Sequence, residues 1–264
     1  MRIYLRELKA NLKSLLIYTG VVAFFVVVGF SKFSAYAENP EILEVLDSMP
    51  AALLESFNMN AFNLTTVEGF FGVMFAFVAL ILGIAAVMWG SDIISKEERD
   101  KTVEFVLTLP VKRSTLITGK TAAAFTHCVL LALATWGLNA ANAAAYDPEP
   151  GFYRFLFQGM AALLVLQVIF LAVGILIGSA MKQHKRAGSV AISVLLGTYF
   201  FSVIAGLREE WEFLTYFTPF AYFDPALILH ESRVESVYLW ISAGVVLVSL
   251  AGAYLAYARR DLYI

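Results

Sequence analysis

Residues 96–121 read KEERDKTVEFVLTLPVKRSTLITGKT, and two incompatible folds compete for them. The last eight, Ser114 to Thr121, imitate a phosphate-binding loop: Gly119, Lys120 and Thr121 fit, but Ser114 stands where the first glycine belongs. Such a loop needs a strand before it and a helix after it, so that backbone N–H groups surround the phosphates of a nucleotide in an α/β domain. Here the preceding residues are charged and broken by Pro110, and an apolar run follows. Nowhere else does the chain carry an ATPase signature loop or the aspartate-ended strand that would hold magnesium. The stretch therefore reads as a charged connector between helices of a membrane protein.

The remaining sequence supports that choice. Of 264 residues, 60% are hydrophobic and 15% charged, and the mean hydropathy of +0.75 is far too apolar for an ordinary soluble domain. A helix crossing the hydrocarbon needs about 20 mostly apolar residues. Six stretches provide them, at 15–33, 67–90, 118–146, 153–180, 187–207 and 236–258. They are continuously apolar and rich in Ala and Leu, where the strands of a membrane barrel would alternate. The single cysteine, Cys128, excludes an intramolecular disulfide and a cysteine-cluster metal site. The expected fold is an all-α membrane protein with six transmembrane helices, a single domain over residues 1–264.

Charge sets the orientation. Residues 1–14, 91–120, 181–186 and the pair Arg259–Arg260 hold 15 of the 19 Lys and Arg residues, whereas 14 of the 21 acidic residues lie in the other loops. Both termini are thus predicted to be cytoplasmic, which requires an even number of spans. The first span, with its basic flank and the SAYAEN sequence at Ala35 and Ala37, imitates a signal peptide, but it is long enough to remain as a membrane helix. Residues 211–230, WEFLTYFTPFAYFDPALILH, tempt a seventh span. Pro219, Asp224 and Pro225 would lie inside it, so it reads instead as an interfacial or re-entrant segment on the outer face.

Residues 1–14 place Ile3, Leu5, Leu8, Leu12 and Leu15 against Arg2, Arg6, Lys9 and Lys13, the pattern of a basic amphipathic helix at the cytoplasmic surface. Residues 34–66 form the larger outer loop. Within it, Asn39 and Pro40 start a short helix striped by Ile42, Val45, Leu46, Met49 and Leu53. In the charged connector, no Pro or Gly interrupts residues 92–109, and Asp92–Lys96 and Glu97–Lys101 are acid-to-base pairs four apart. Each such pair adds about 0.2–0.5 kcal/mol to a surface helix. Pro110 stops this helix and Ser114 is placed to cap the next.

The segment EERDKTVEFVLTLPVKRSTLITGK resembles the connection between spans two and three of the permease subunits of ABC-2 type transporters. The shared features fall at Glu97 and Glu98, Thr102, Glu104, Leu107 with Pro110, Arg113, and Gly119 with Lys120. Lys101 departs from the pattern, standing where the family usually has glycine. The ending YARRDLYI resembles the family's basic-basic-Asp tail. The resemblance implies that residues 92–109 are a coupling helix gripped by a separate ATPase, with Glu97, Glu98 and Arg113 making charged contacts. It also implies a smaller contact at residues 181–186, through Lys182, Lys185 and Arg186, and makes residues 1–14 the elbow helix. Two ABC ATPase subunits, which bind ATP and Mg, and a second permease subunit, identical or similar, are the implied partners. The setting is the cytoplasmic membrane of a bacterium or archaeon.

Ionisable groups at mid-membrane mark ion-coupled transporters and intramembrane enzymes, and these spans hold almost none. His127 is the one imidazole within a span and reads as a packing residue, and no metal or nucleotide site is expected in this chain. Gln167, Asn139 and Asn142 each need a partner in hydrocarbon, so each faces another helix or a translocation path. Gly174 and Gly178 form a GxxxG that permits close helix approach. Uncharged, Phe-rich walls favour an amphipathic or hydrophobic cargo: a lipid, a lipopeptide or a drug. The expected function is that of a non-catalytic permease of an ATP-driven exporter, with no nucleic-acid partner. Its rivals are a non-transporting scaffold, serving regulation or metalloenzyme maturation through an ATPase, and a secondary transporter.

Overall fold

A computed structural model of the chain describes residues 2–37, 62–99, 111–181, 183–207 and 209–259. The outer-loop helix expected from Asn39 onward, the connector over 100–110 and the tail after Arg259 lie outside the described residues. Among the described residues there are eight α-helices and no strand. They are α1 (Arg2–Ala10), α2 (Leu12–Ala37), α3 (Val67–Arg99), α4 (Arg113–Ala143), α5 (Phe152–Ala180), α6 (His184–Ala205), α7 (Pro225–Glu231) and α8 (Ser236–Arg259). Six of them, α2 to α6 and α8, are long and apolar enough to cross a membrane.

The six long helices are unequal. Two thirds of the apolar window of α3 is buried (67%) and 61% of that of α5, against 17% for each of α2, α6 and α8. The pair α3–α5 is therefore the axis of the bundle, and the other helices are arranged around it. In a bilayer, lipid is as apolar as Leu, so helix association depends on close packing. Small residues supply it here. A Cβ on Gly174 would stand 2.4 Å from the Val87 carbonyl oxygen, one on Gly178 would stand 2.6 Å from that of Ser91, and one on Gly90 would stand 2.4 Å from that of Leu171. The GxxxG of α5 thus brings two backbones of the same chain into contact. Large apolar side chains remain on the outer faces: Phe24 of α2, Phe200 of α6, and Trp240, Leu247 and Val248 of α8.

The chain passes back and forth so that the Lys- and Arg-rich segments gather at one end, called here the basic end. The far end is closed by rings. Phe30, Phe33, Phe70 and Tyr146 form one cluster, in which the Tyr146 hydroxyl donates to the Phe30 carbonyl at 2.9 Å. Residues 209–231 are also at the far end, and they are a broken chain rather than one helix. Two 3-10 helices, Glu209–Phe217 and Pro219–Ala221, precede the seven-residue α7. The breaks follow from the sequence: Pro219 and Pro225 each start a helix, a position where the missing N–H costs nothing. Asp224 caps α7 by accepting the Ala226 N–H at 2.8 Å.

Candidate functional site

At the basic end, three helices meet around a buried acid. Glu7 of α1 is 1% exposed, although it belongs to a helix whose other charges are basic. Its carboxylate is ion-paired with Lys96 of α3 and with Arg6, whose Nη2 lies at 2.9 Å. Burial opposes ionisation of Glu7, but the Lys96 ammonium, the nearby Lys120 and Arg6 outweigh it and hold the carboxyl below its ordinary range. Further bonds fix α1 and the start of α2. The Tyr4 hydroxyl pairs with Thr126 Oγ1 of α4 at 3.1 Å, and Trp89 Nε1 of α3 donates to Ser14 Oγ at 2.9 Å.

The near-miss phosphate-binding motif belongs to the same cluster. Residues 113–143 form a continuous helix, so the N–H groups along it are committed to carbonyls one turn back rather than arrayed in an open loop. Gly119 leaves room for α1: a Cβ there would stand 3.2 Å from Ile3 Cγ2. Lys120 is fully buried and donates from Nζ to the Ile93 carbonyl of α3 at 2.6 Å. Glycine and lysine therefore serve helix packing in this fold.

α3 continues without a break to Arg99, so residues 92–99, the first eight of the expected coupling helix, are an extension of a spanning helix. Thr102, Glu104, Leu107 and Pro110, and the side chains of Glu97, Glu98 and Lys182, lie outside the described residues. Arg113 starts α4, and its Nη1 donates to the last carbonyls of α8, those of Tyr257 at 3.3 Å and Ala258 at 3.2 Å. A cation at a helix C-terminus is favoured by the helix dipole. The N-cap of α4 is Lys112 and no side chain caps it; Ser114, expected in that role, lies within the first turn, because the helix begins at the anchored Arg113. Lys185 and Arg186 are exposed at the start of α6.

The polar residues of the spans differ in their bonding. Asn139 and Asn142 each donate one turn back within α4, to the carbonyls of Thr135 (2.9 Å) and Leu138 (2.8 Å). His127 Nδ1 pairs with the Ala123 carbonyl at 2.8 Å, and its ring lies against Trp89. Gln167 is fully buried, and neither atom of its amide has a partner among the described residues. Its neighbour Leu166 lines a cavity of about 290 Å³ toward the far end, enclosed by α3, α5, α6 and residues 215–225.

The profile of the ABC-2 family transporter proteins matches residues 1–262. The chain belongs to the ABC-2 transporter family. No curated protein matches it. As an ABC-2 family protein it has a permease's role in the membrane, and ABC-2 permeases work with ABC ATPase partners. Two features of this ABC-2 permease escaped a reading of its sequence. Glu7 is one; its signal was present, since Ile3, Glu7 and Ser14 recur at helical spacing and share one face. Asp224 is the other, a cap residue that also lines the cavity.

Proposed function

We propose that this chain is the membrane subunit of an ATP-driven ABC-2 exporter. It pairs with a second permease subunit, identical or similar, and two ABC ATPases holding ATP and Mg dock on its basic end at the cytoplasmic face of a bacterial or archaeal membrane. The cargo is amphipathic or hydrophobic, and the chain itself catalyses nothing. The observation that carries this reading is the unbroken α3. Its 33 residues run from the far end through the bundle axis and into the charged connector. At 1.5 Å per residue it is about 50 Å long, against roughly 30 Å of hydrocarbon.

A helix of that length, buried along its middle and clamped at Lys96, is a lever. Force applied to residues 97–109 by closing ATPases moves the axis of the bundle, and with it α1 through Glu7. The work comes from contacts that differ between the open and closed ATPase, since a partner holding both states equally shifts nothing. The uncharged spans suit a cargo that does not need its own charge compensated at mid-membrane.

The test is co-purification with an ABC ATPase, followed by reconstitution in liposomes. Hydrolysis stimulated by amphipathic cargo, and ATP-dependent movement of that cargo, are expected. An ATPase that binds but whose hydrolysis no cargo alters would indicate the scaffold role, and movement driven by a proton gradient without ATP would indicate a secondary transporter.

A further inference from the structure

We propose that the far-end cavity is a binding site for an organic cation with an apolar or aromatic body, and that Asp224 selects for the charge. The identification of that ligand as cargo rests on the export reading; its binding does not.

The cavity, at about 290 Å³, is close to the lower bound of small-ligand pockets, roughly 300 Å³. Its floor is apolar, with Leu163 and Leu166 of α5. Four rings, Phe75, Tyr199, Phe220 and Phe223, line it from three different elements. Among the described residues that line it, Asp224 alone is charged. No Lys or Arg lies within ion-pair distance of that carboxylate among the described residues. Burial pushes the Asp224 carboxyl upward, and the N–H groups of Ala226 and Leu227 and the nearby His230 offset only part of that.

These walls discriminate by charge. A carboxylate offers about four acceptor sites, of which the Ala226 N–H at the α7 cap uses one. A cation entering the cavity restores the solvation that burial removed, and the ring faces attract it as well. An anion of the same shape meets a like charge that is only partly compensated. A neutral molecule fills the apolar part but leaves Asp224 as desolvated as before. The expected order is cation, then neutral, then anion.

Three soluble probes of one shape test this: phenethylammonium, phenethyl alcohol and phenylacetate, titrated by calorimetry into the detergent-purified full chain. The cation should bind about tenfold or more tightly than the alcohol, and phenylacetate weakest of the three. Asp224→Asn is the decisive variant, because asparagine caps a helix as well as aspartate does, so the charge goes while α7 keeps its start. In that variant the cation should fall to the affinity of the alcohol, whose own binding stays unchanged. Ser202→Phe, which fills the cavity, should abolish binding of both. Equal affinity for cation and alcohol, a preference that survives Asp224→Asn, or binding that survives Ser202→Phe would each overturn the proposal. The two readings separate cleanly. Cation binding without ATP-driven movement in liposomes upholds the site and removes the exporter, whereas ATP-driven movement of neutral lipid with no cation binding does the reverse.

Discussion

Glu7 and Lys96, 89 residues apart in the chain, form an ion pair between a buried carboxylate on α1 and the ammonium at the end of the membrane-crossing part of α3. The pair joins the N-terminal helix to the root of the charged connector. Removing Glu7 takes away the carboxylate that Lys96 pairs with, and removing Lys96 leaves buried Glu7 with Arg6 and the nearby Lys120 in place of its closest cation; breaking a buried pair typically costs about 3–5 kcal/mol, whereas removing both members is far cheaper. Glu7→Gln and Lys96→Met should therefore each lower stability by about 3 kcal/mol, and the double variant by clearly less than the sum. Unfolding of the detergent-solubilised protein measures all three. Strict additivity would show that the two residues do not interact.

The same carboxylate predicts a pH dependence. Its value in the folded protein is lowered, so the stability it contributes is fully present above the ordinary carboxylate pKa and is lost as pH falls through the lowered one. Docking of α1 should thus persist to about pH 4 and loosen only below it. Hydrogen exchange of residues 2–10 across the acid range would show this, and Glu7→Gln should remove the step from that profile.

Lys120 separates the packing role of its motif from a nucleotide role. Lys120→Met removes the charge-assisted bond that Lys120 adds to the Ile93 carbonyl and should lower stability by about 1–3 kcal/mol. Photoreactive ATP, added to the assembled transporter, should label the ATPase partner and leave this chain unmarked in both wild type and variant.

Glu97 and Glu98 begin the part of the connector that extends beyond Lys96. Reversing both to Lys should leave the permease folded. Transport, and the stimulation of ATP hydrolysis by cargo, should be lost. Parallel measurements of melting temperature and of cargo movement in liposomes decide it.

Gln167 carries a buried amide with no partner among the described residues, a burden of about 1–3 kcal/mol. Gln167→Leu, close in shape and without the polar atoms, should raise stability by a similar amount. A fall in cargo movement alongside that gain would place the amide on the translocation path.

The helical membrane fold was legible in the order of the residues. Apolar runs of span length are conclusive because backbone groups in hydrocarbon must bond within their own segment, and Pro219 and Pro225 announce the break in residues 209–231 without reference to anything distant. The imitation of a phosphate-binding loop could also be rejected locally, from Ser114 and the charged residues before it. Glu7 was harder to see. Its spacing from Ile3 puts it on the buried face, but a basic helix at a membrane surface reads as a lipid-facing element, and nothing nearby in the chain reveals Lys96.

Hydropathy and charge in sequence order were enough to specify that six helices are long and apolar enough to cross a membrane and which end collects the basic residues, since each is decided by a segment's own solvation. Tertiary structure alone decided that Glu7 meets Lys96, that Lys120 reaches the Ile93 carbonyl and that Asp224 borders a cavity walled with rings. Those outcomes depend on which helices lie side by side, and the close approach of α3 and α5 through Gly90, Gly174 and Gly178 is a property of the packed pair that neither helix has by itself.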